Sequence, residues 1–239
     1  MPNDYFQFKQ FEIRQDKCAM KVCTDACLFG AFAANRSPLT ANRILDVGSG
    51  TGLLSLMLAQ KLPDAKIDAV EIDAEAAQQA KENFESSPWK ERLNIYNDSI
   101  LQFAGSAIQQ YDLIISNPPF YENDLKSDDE KRNIALHSSD LKLQELITIA
   151  DKLLKSNGSF FVLLPYHRTA NFLQLIQDKF NLHEKLFIKQ TPKHNYFRSI
   201  FWLTKQASTQ HQSEIIIKKE TNKYSEEFIL LLRDFYLYL

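Results

Sequence analysis

Glycine is scarce in this 239-residue chain, with six in all. Cysteine is scarcer: Cys18, Cys23 and Cys27 are odd in number and form no Cys-x-x-Cys pair, which excludes a zinc site of the usual ligand spacing. They read as reduced packing thiols and imply a reducing compartment. Neither charge sign dominates, since 28 Lys and Arg stand against 30 Asp and Glu. That balance excludes a uniformly basic nucleic-acid binder and leaves any such role to a local patch. Long hydrophobic runs are missing as well. The apolar stretch Leu28 to Ala34, counting Gly30, falls far short of the ~20 residues of a membrane span, and the polar, aromatic opening Met1 to Gln15 does not read as a signal peptide. A cytoplasmic protein with no membrane contact and no metal is expected. The composition leaves oligomeric state open, with a monomer as the default.

The length suits one domain with appendages, and no internal repeat is evident. Residues 1–34 read as an aromatic lead-in, with a short apolar helix from Asp25 to Ala34. Residues 42–205 read as the core and 206–239 as an extension. Within the core, strand-like Arg43 to Val47 leads into helix Leu53 to Lys61, strand Lys66 to Ile72, helix Ala74 to Glu85, strand Arg92 to Asn97 and strand Tyr111 to Ser116. This order predicts an α/β protein with a mostly parallel central sheet and helices on both faces. After a long polar segment, Tyr121 to Ser139, helical periodicity runs from Leu141 to Leu154, with Asn157-Gly158 as a C-cap. Ser159 to Leu164 is a strand, Arg168 to Phe180 a helix, and Leu186 to Lys189 with Phe197 to Leu203 a closing antiparallel β hairpin. A polar linker, Lys205 to Glu214, precedes a terminal helix from Tyr224 to Leu239.

Half of the glycines fall together at 48, 50 and 52, between a strand and a helix. Glycine there permits a tight turn and lets backbone N–H groups and the helix start approach a ligand closely. Glu71 ends the next strand about 20 residues on, where an acidic side chain hydrogen-bonds ribose hydroxyls. The spacing is Gly-x-Gly-x-Gly, not the dinucleotide pattern, and Asp46 faces the ligand. A carboxylate there would repel a pyrophosphate but suit an α-ammonium group. The run Leu45-Asp-Val-Gly-Ser-Gly-Thr-Gly52 resembles the first motif of class I methyltransferases. The resemblance implies a Rossmann-like fold and S-adenosyl-L-methionine as cofactor, held by Asp46, Gly48, Gly50, Gly52 and Glu71. It also places Asp98 where a carboxylate accepts from the adenine amino group, although a helix N-cap before Ile100 is the other reading of Asp98. Ile72 either packs on the adenine face or belongs to the core.

Asn117-Pro-Pro-Phe120 directly follows the strand-like Tyr111 to Ser116. Two prolines fix φ and remove backbone donors, so the chain must turn at the strand's carboxyl end, where open α/β sheets keep their ligands. An amide oxygen, a proline-rigidified carbonyl and an aromatic ring suit chemistry on a planar NH2 group. Its lone pair is delocalised into the ring. Hydrogen bonds from that NH2 to the Asn117 side chain and the Pro118 carbonyl would aim the lone pair at an electrophile. Phe120 would stack on the acceptor plane. Pro119 stiffens the turn, and a polar turn over a core phenylalanine is the plain structural alternative. The run resembles the Asn-Pro-Pro-(Tyr/Phe) motif shared by adenine-N6, cytosine-N4 and protein glutamine-N5 methyltransferases, with Asn117 also beside the cofactor.

Further segments narrow the acceptor: Phe8-Lys-Gln-Phe, Met20-Lys-Val-Cys-Thr-Asp25, Ala69 to Asn83, Ser87-Pro-Trp89, the His137 segment and Tyr224 to Leu237. In that order, nearly end to end, they resemble the bacterial tRNA1(Val) (adenine-N6)-methyltransferases. The resemblance implies methylation of the adenosine immediately 3′ of the anticodon, position 37, and tRNA as partner through its anticodon loop. It places Lys21, Thr24 and Asp25 beside the cofactor's methionine end or the acceptor; a capped helix start at Thr24 or Asp25 is the alternative. From Lys185 to Lys223, eight basic residues, Lys189, Lys193 and Arg198 among them, face only the acids Glu214 and Glu220. Such a stretch suits phosphate contacts, with Phe187, Tyr196 and Phe197 as stacking rings, or is a solvated face over core aromatics. Tyr166, His167 and Arg168 touch the substrate or open a helix. A glutamine-N5 methyltransferase acting on a release factor uses the same turn, but usually carries a sizeable helical domain before it. A non-catalytic RNA- or cofactor-binding module would not need Asn117.

Overall fold

A computed structural model describes residues 3–18, 20–107, 109–119 and 143–239. The chain opens with a hairpin of β1 (Tyr5–Gln7) and β2 (Glu12–Arg14). There follow α1 (Thr24–Arg36), β3 (Arg43–Val47), α2 (Leu53–Lys61), β4 (Lys66–Glu71), α3 (Ala74–Glu85), β5 (Leu93–Asn97), α4 (Ile100–Ser106) and β6 (Tyr111–Ser116). After residue 142 come α5 (Leu143–Leu153), β7 (Leu154–Pro165), α6 (Thr169–Ile176), β8 (Asn181–Lys189), β9 (Tyr196–Thr204), β10 (His211–Ile216) and α7 (Glu226–Leu232). Phe120, His137 and the polar segment Tyr121 to Ser139 lie outside the described residues.

The central sheet has eight strands in the order β10-β8-β9-β7-β6-β3-β4-β5. Strands β5, β4, β3, β6 and β7 are parallel neighbours, β9 runs antiparallel between β7 and β8, and β10 returns parallel to β8. This is the mostly parallel sheet with a closing antiparallel pair expected from the sequence. Strands β3 and β6 are covered on both faces, so they read as near-continuous apolar runs. One face buries α1, α2, the hairpin and α7 together with Ala80 and Phe84 of α3; the other buries α4, α5 and α6. Helix α1 is buried from Ala26 to Ala34. Its Gly30 lies so close to Met57 of α2 that a Cβ would strike the sulfur.

The order in which successive strands are added reverses between the parallel neighbours β3 and β6. Connections after β3 progress one way, through β4 to β5, whereas β6 returns to the opposite side of β3. The carboxyl ends of β3 and β6 therefore flank the crevice at which such sheets bind ligands.

Several element readings change. The polar linker shortens, because His211–Ile216 forms an edge strand whose outer residues stay exposed and so carry no apolar pattern. Residues Asn157 and Gly158 lie inside β7 rather than capping a helix. Helix α5 ends at Leu153 and the strand begins at once, with a register shift opposite Tyr111 and Leu113. The terminal helix is only Glu226–Leu232, capped by Ser225, whose side chain accepts from the Phe228 N–H. Beyond it, Tyr236 bridges to Phe8 and the Phe235 carbonyl accepts from the Lys9 N–H at 2.8 Å. Among the described residues, no helix is long and apolar enough to cross a membrane.

Candidate active site

Val47 of β3 and Ser116 of β6 are register partners, and the Ser116 hydroxyl donates to the Val47 carbonyl at 2.9 Å. The next residue on one strand is Gly48 and on the other Asn117. Two motifs far apart in sequence thus leave the sheet side by side. Gly48, Gly50 and Gly52 all adopt the left-handed region, with φ of 71°, 54° and 80°. L side chains are strained there, which is the physical reason for three glycines in five positions. At Gly52 a Cβ would also collide with the Phe84 ring, whereas at Gly48 and Gly50 it would meet nothing within 4 Å. The loop is packed behind and open in front.

Acidic groups set the loop. Glu71, at the end of β4, accepts from the Gly50 N–H through Oε2 at 2.8 Å and from the Asp73 N–H through Oε1 at 3.0 Å. A carboxylate has about four acceptor positions, so both oxygens can still receive further donors. Burial pushes the Glu71 carboxyl upward, opposed by these two bonds. Asp46 is fully buried in β3, and burial pushes its carboxyl up to about 7. Its Oδ2 accepts from the Ser55 hydroxyl at 2.7 Å and the Ser55 N–H at 3.2 Å.

Among the described residues, three buried side-chain atoms at this edge have no hydrogen-bond partner: Asp46 Oδ1, Ser49 Oγ and Asn117 Oδ1. Leaving a buried acceptor unsatisfied costs about 1–3 kcal/mol. Three such atoms around one open glycine loop fit a polar ligand carrying N–H donors, so the residues present match a nucleoside bearing an amino-acid tail. Pro118 is buried and Pro119 half-buried after Asn117. Ile72 is 49% exposed beside the loop, so it is not a core residue. The Asn97 amide donates to the Glu71 and Ile72 carbonyls and fixes that corner.

Asp98 is not a helix cap: Ser99 caps α4 by accepting from the Gln102 N–H, and Asp98 accepts from the Ser99 N–H. The Asp98 N–H donates to the Glu71 carbonyl at 3.1 Å, tying the ends of β4 and β5 together. Thr24, half-buried, stands in the first turn of α1 behind Cys23, which occupies the cap position without a side-chain bond. Exposed Lys21 donates to the Asn3 carbonyl at 3.2 Å. Of the basic residues, Arg198 pairs with Asp25 at 2.7 Å, Lys189 approaches Glu214 at 3.8 Å, and Lys193 approaches Glu220 at 3.7 Å. Part of the positive excess is thus neutralised within the chain.

Sequence reasoning passed over Ser55, Ser116, Gln79 and Asn83. Asn83 is buried, donates to the Thr51 carbonyl of the glycine loop, and exchanges two bonds with the Arg14 backbone. Gln79 accepts from the Lys17 N–H. The lead-in is thereby clasped to α3 behind the loop. Polar side chains within otherwise apolar helix faces, such as Ser55 amid leucines, were the available signal.

The methyltransferase small domain family model matches residues 26–194. A tRNA1(Val) (adenine(37)-N6)-methyltransferase from Cytophaga hutchinsonii is 42% identical over 244 residues, covering 100% of both chains. The Flavobacterium psychrophilum protein of the same name is 41% identical, covering 97% of this chain and 99% of its own. Among solved structures, a predicted O-methyltransferase from Agrobacterium tumefaciens superposes with a TM-score of 0.70 at 15% identity, over 87% of this chain and 95% of that one, which is a likeness of fold alone. The chain is a methyltransferase of the small-domain family and belongs to its tRNA1(Val) (adenine(37)-N6)-methyltransferase branch.

Proposed function

We propose that this protein methylates the exocyclic N6 of adenosine 37 in a tRNA anticodon loop, using S-adenosyl-L-methionine. One observation carries the reading of the site: among the described residues Asn117 Oδ1 is buried without a partner, directly after a strand paired to the one that feeds the open glycine loop. The names of relatives aligned over the full chain support the choice of acceptor.

When bound, S-adenosylmethionine supplies an electrophilic methyl group. Glu71 would hold the ribose hydroxyls, Ile72 would cover one adenine face and Asp98 would accept from its amino group. Asp46 Oδ1 and Thr24 would receive the amino-acid end. Gly48, Gly50 and Gly52 leave room for close backbone approach. Asn117 Oδ1 and the Pro118 carbonyl accept the two N–H groups of the target adenine, withdrawing its nitrogen lone pair from the ring. Pro119 keeps that carbonyl in place. The nitrogen becomes acidic as it takes the methyl, so its surplus proton passes to water without a strong base. Lys21, Lys189, Lys193 and Arg198 are assigned to phosphate contacts with the RNA, which would make binding salt-sensitive.

Incubating the protein with labelled cofactor and tRNA that lacks this modification is expected to place one methyl on the adenosine beside the anticodon, mapped by nucleoside mass spectrometry. Asn117→Ala is expected to lower kcat by roughly 100-fold or more while cofactor binding stays within about two-fold of the parent. Transfer to no RNA by protein that binds the cofactor would reject the assignment. Transfer to a release-factor glutamine instead would move the protein to the related amide chemistry.

A further inference from the structure

The carboxyl edge that carries Asn117 continues along the sheet. Strand β7 is parallel to β6 and ends at Pro165, so Tyr166 leaves the sheet on the same edge as Asn117. Strand β9 is antiparallel to β7 and starts at this edge with Tyr196, and β8 finishes there with Phe187 and Lys189. Three rings meet at this place. Tyr166 stands edge-on to Phe187 with centroids 5.2 Å apart, Tyr166 and Tyr196 are 5.1 Å apart, and Phe187 and Tyr196 are 5.2 Å apart. Phe187 is 8% exposed and forms the floor, whereas Tyr166 is 38% exposed. Lys189 sits 4.5 Å from the centroid of the Tyr196 ring and Lys185 sits 5.7 Å from that of Phe187. The Tyr196 hydroxyl donates to Glu214, which also lies near Lys189, so the ring and its cation are held in place together.

A rigid, half-open aromatic surface with ammonium groups at its margin matches one chemistry: a flat base stacked on the ring with its phosphate beside the lysines. Exposed aromatics on a protein-docking face have no need of the cations. We propose that Tyr166, seated on Phe187 and braced by Tyr196, is a stacking platform for an unpaired nucleotide adjoining the methylated adenosine. This rests on the reading of the site as an RNA adenine methyltransferase. The platform is a specificity element: it favours single-stranded loops, in which the neighbour of the target base is free to unstack, over duplexes, in which it is not.

The test uses the full chain and an unmodified anticodon stem-loop with 2-aminopurine at either nucleotide flanking the acceptor. The parent protein is expected to change the fluorescence of one of the two probes on binding, and Tyr166→Phe to preserve that change. Tyr166→Ala is expected to abolish it and to raise KM for the stem-loop roughly 5–150-fold, the equivalent of about 1–3 kcal/mol of stacking per base. Its kcat at saturating RNA and its cofactor Kd should stay within about two-fold. Thermal melting reports whether Tyr166→Ala is folded; if it is not, Tyr166→Leu, which keeps apolar bulk but no ring, takes its place with the same expectation. Methyl transfer by the parent combined with an unchanged KM and an unchanged probe signal in the ring-less variant overturns the platform. Failure of the parent to methylate any RNA overturns instead the reading on which it rests.

Discussion

Asp46 is the residue at which stability and function pull apart. A carboxyl buried in a strand, satisfied on one oxygen by Ser55 and bare on the other, is poorly matched to carrying charge. Burial is the main cause of its raised value of about 7, with Glu71 adding repulsion and the Ser55 bonds opposing. In the unfolded chain this group releases its proton near pH 4, whereas in the folded protein it does so near 7. Between those values the folded state binds the extra proton, so stability falls as pH rises through the window, and the full penalty stands above it. Asp46→Asn is therefore expected to melt higher than the parent at pH 8 but much less so at pH 4.5, by about 2–4 °C per kcal/mol relieved. The same change should weaken S-adenosylmethionine binding, since the ammonium loses its carboxylate. A melting difference that does not vary with pH would refute this account. Glu71→Ala acts differently: it removes a ribose acceptor and releases the Gly50 N–H, so cofactor Kd should rise roughly 10–100-fold, the cost of about 1.5–3 kcal/mol for charge-assisted hydrogen bonds, as measured by calorimetry. Asp46, Glu71 and the glycines are legible in sequence because backbone conformation and ligand charge dictate them. Ser116 is not, because only the pairing of β6 with β3 gives its hydroxyl a partner.

The clasp between the lead-in and α3 is the feature to test among the elements. Asn83 satisfies Arg14 in both directions and the Thr51 carbonyl as well, so Asn83→Ala orphans several groups at once. A loss of about 1–3 kcal/mol is expected, together with weaker cofactor binding, because Thr51 belongs to the glycine loop. Denaturant unfolding and calorimetry on the same sample separate the two effects, and lost stability with unchanged affinity would confine Asn83 to a structural part. Amphipathic helices are legible by their period and fully buried strands by their apolar runs. The hairpin of β1 and β2 was not, since three residues per strand give no period to read. Strand β10 was hidden by its polarity at the sheet edge, and Gly158 resembled a helix stop although the close packing of Leu154 and the Asp112 carbonyl explains it inside β7.

On the scale of the whole molecule, the two ends of the chain close over one face of the sheet. Phe8 of the lead-in is stacked on Phe11 and meets Tyr236, while Phe235 is fully buried against the same core as α1 and α2. Lys61 pairs with Asp234 at 2.7 Å and the Gln60 amide donates to the Asp234 carbonyl, so the segment after α7 is anchored directly to α2. The other end of α2 is the glycine loop. Terminal packing and the cofactor loop thus share one helix, which raises the question of whether damage at one end travels to the other. The helix is held independently at its loop end by Asp46 and Ser55. Coupling should then run through global unfolding rather than through the site. Phe235→Ala is expected to cost about 3–5 kcal/mol from lost burial and a cavity, a fall in Tm of roughly 6–20 °C, and yet to leave cofactor Kd and kcat of the folded fraction within about two-fold at a temperature well below the new midpoint. A parallel loss of affinity there would instead make α2 a rigid lever between the chain's ends and its active site.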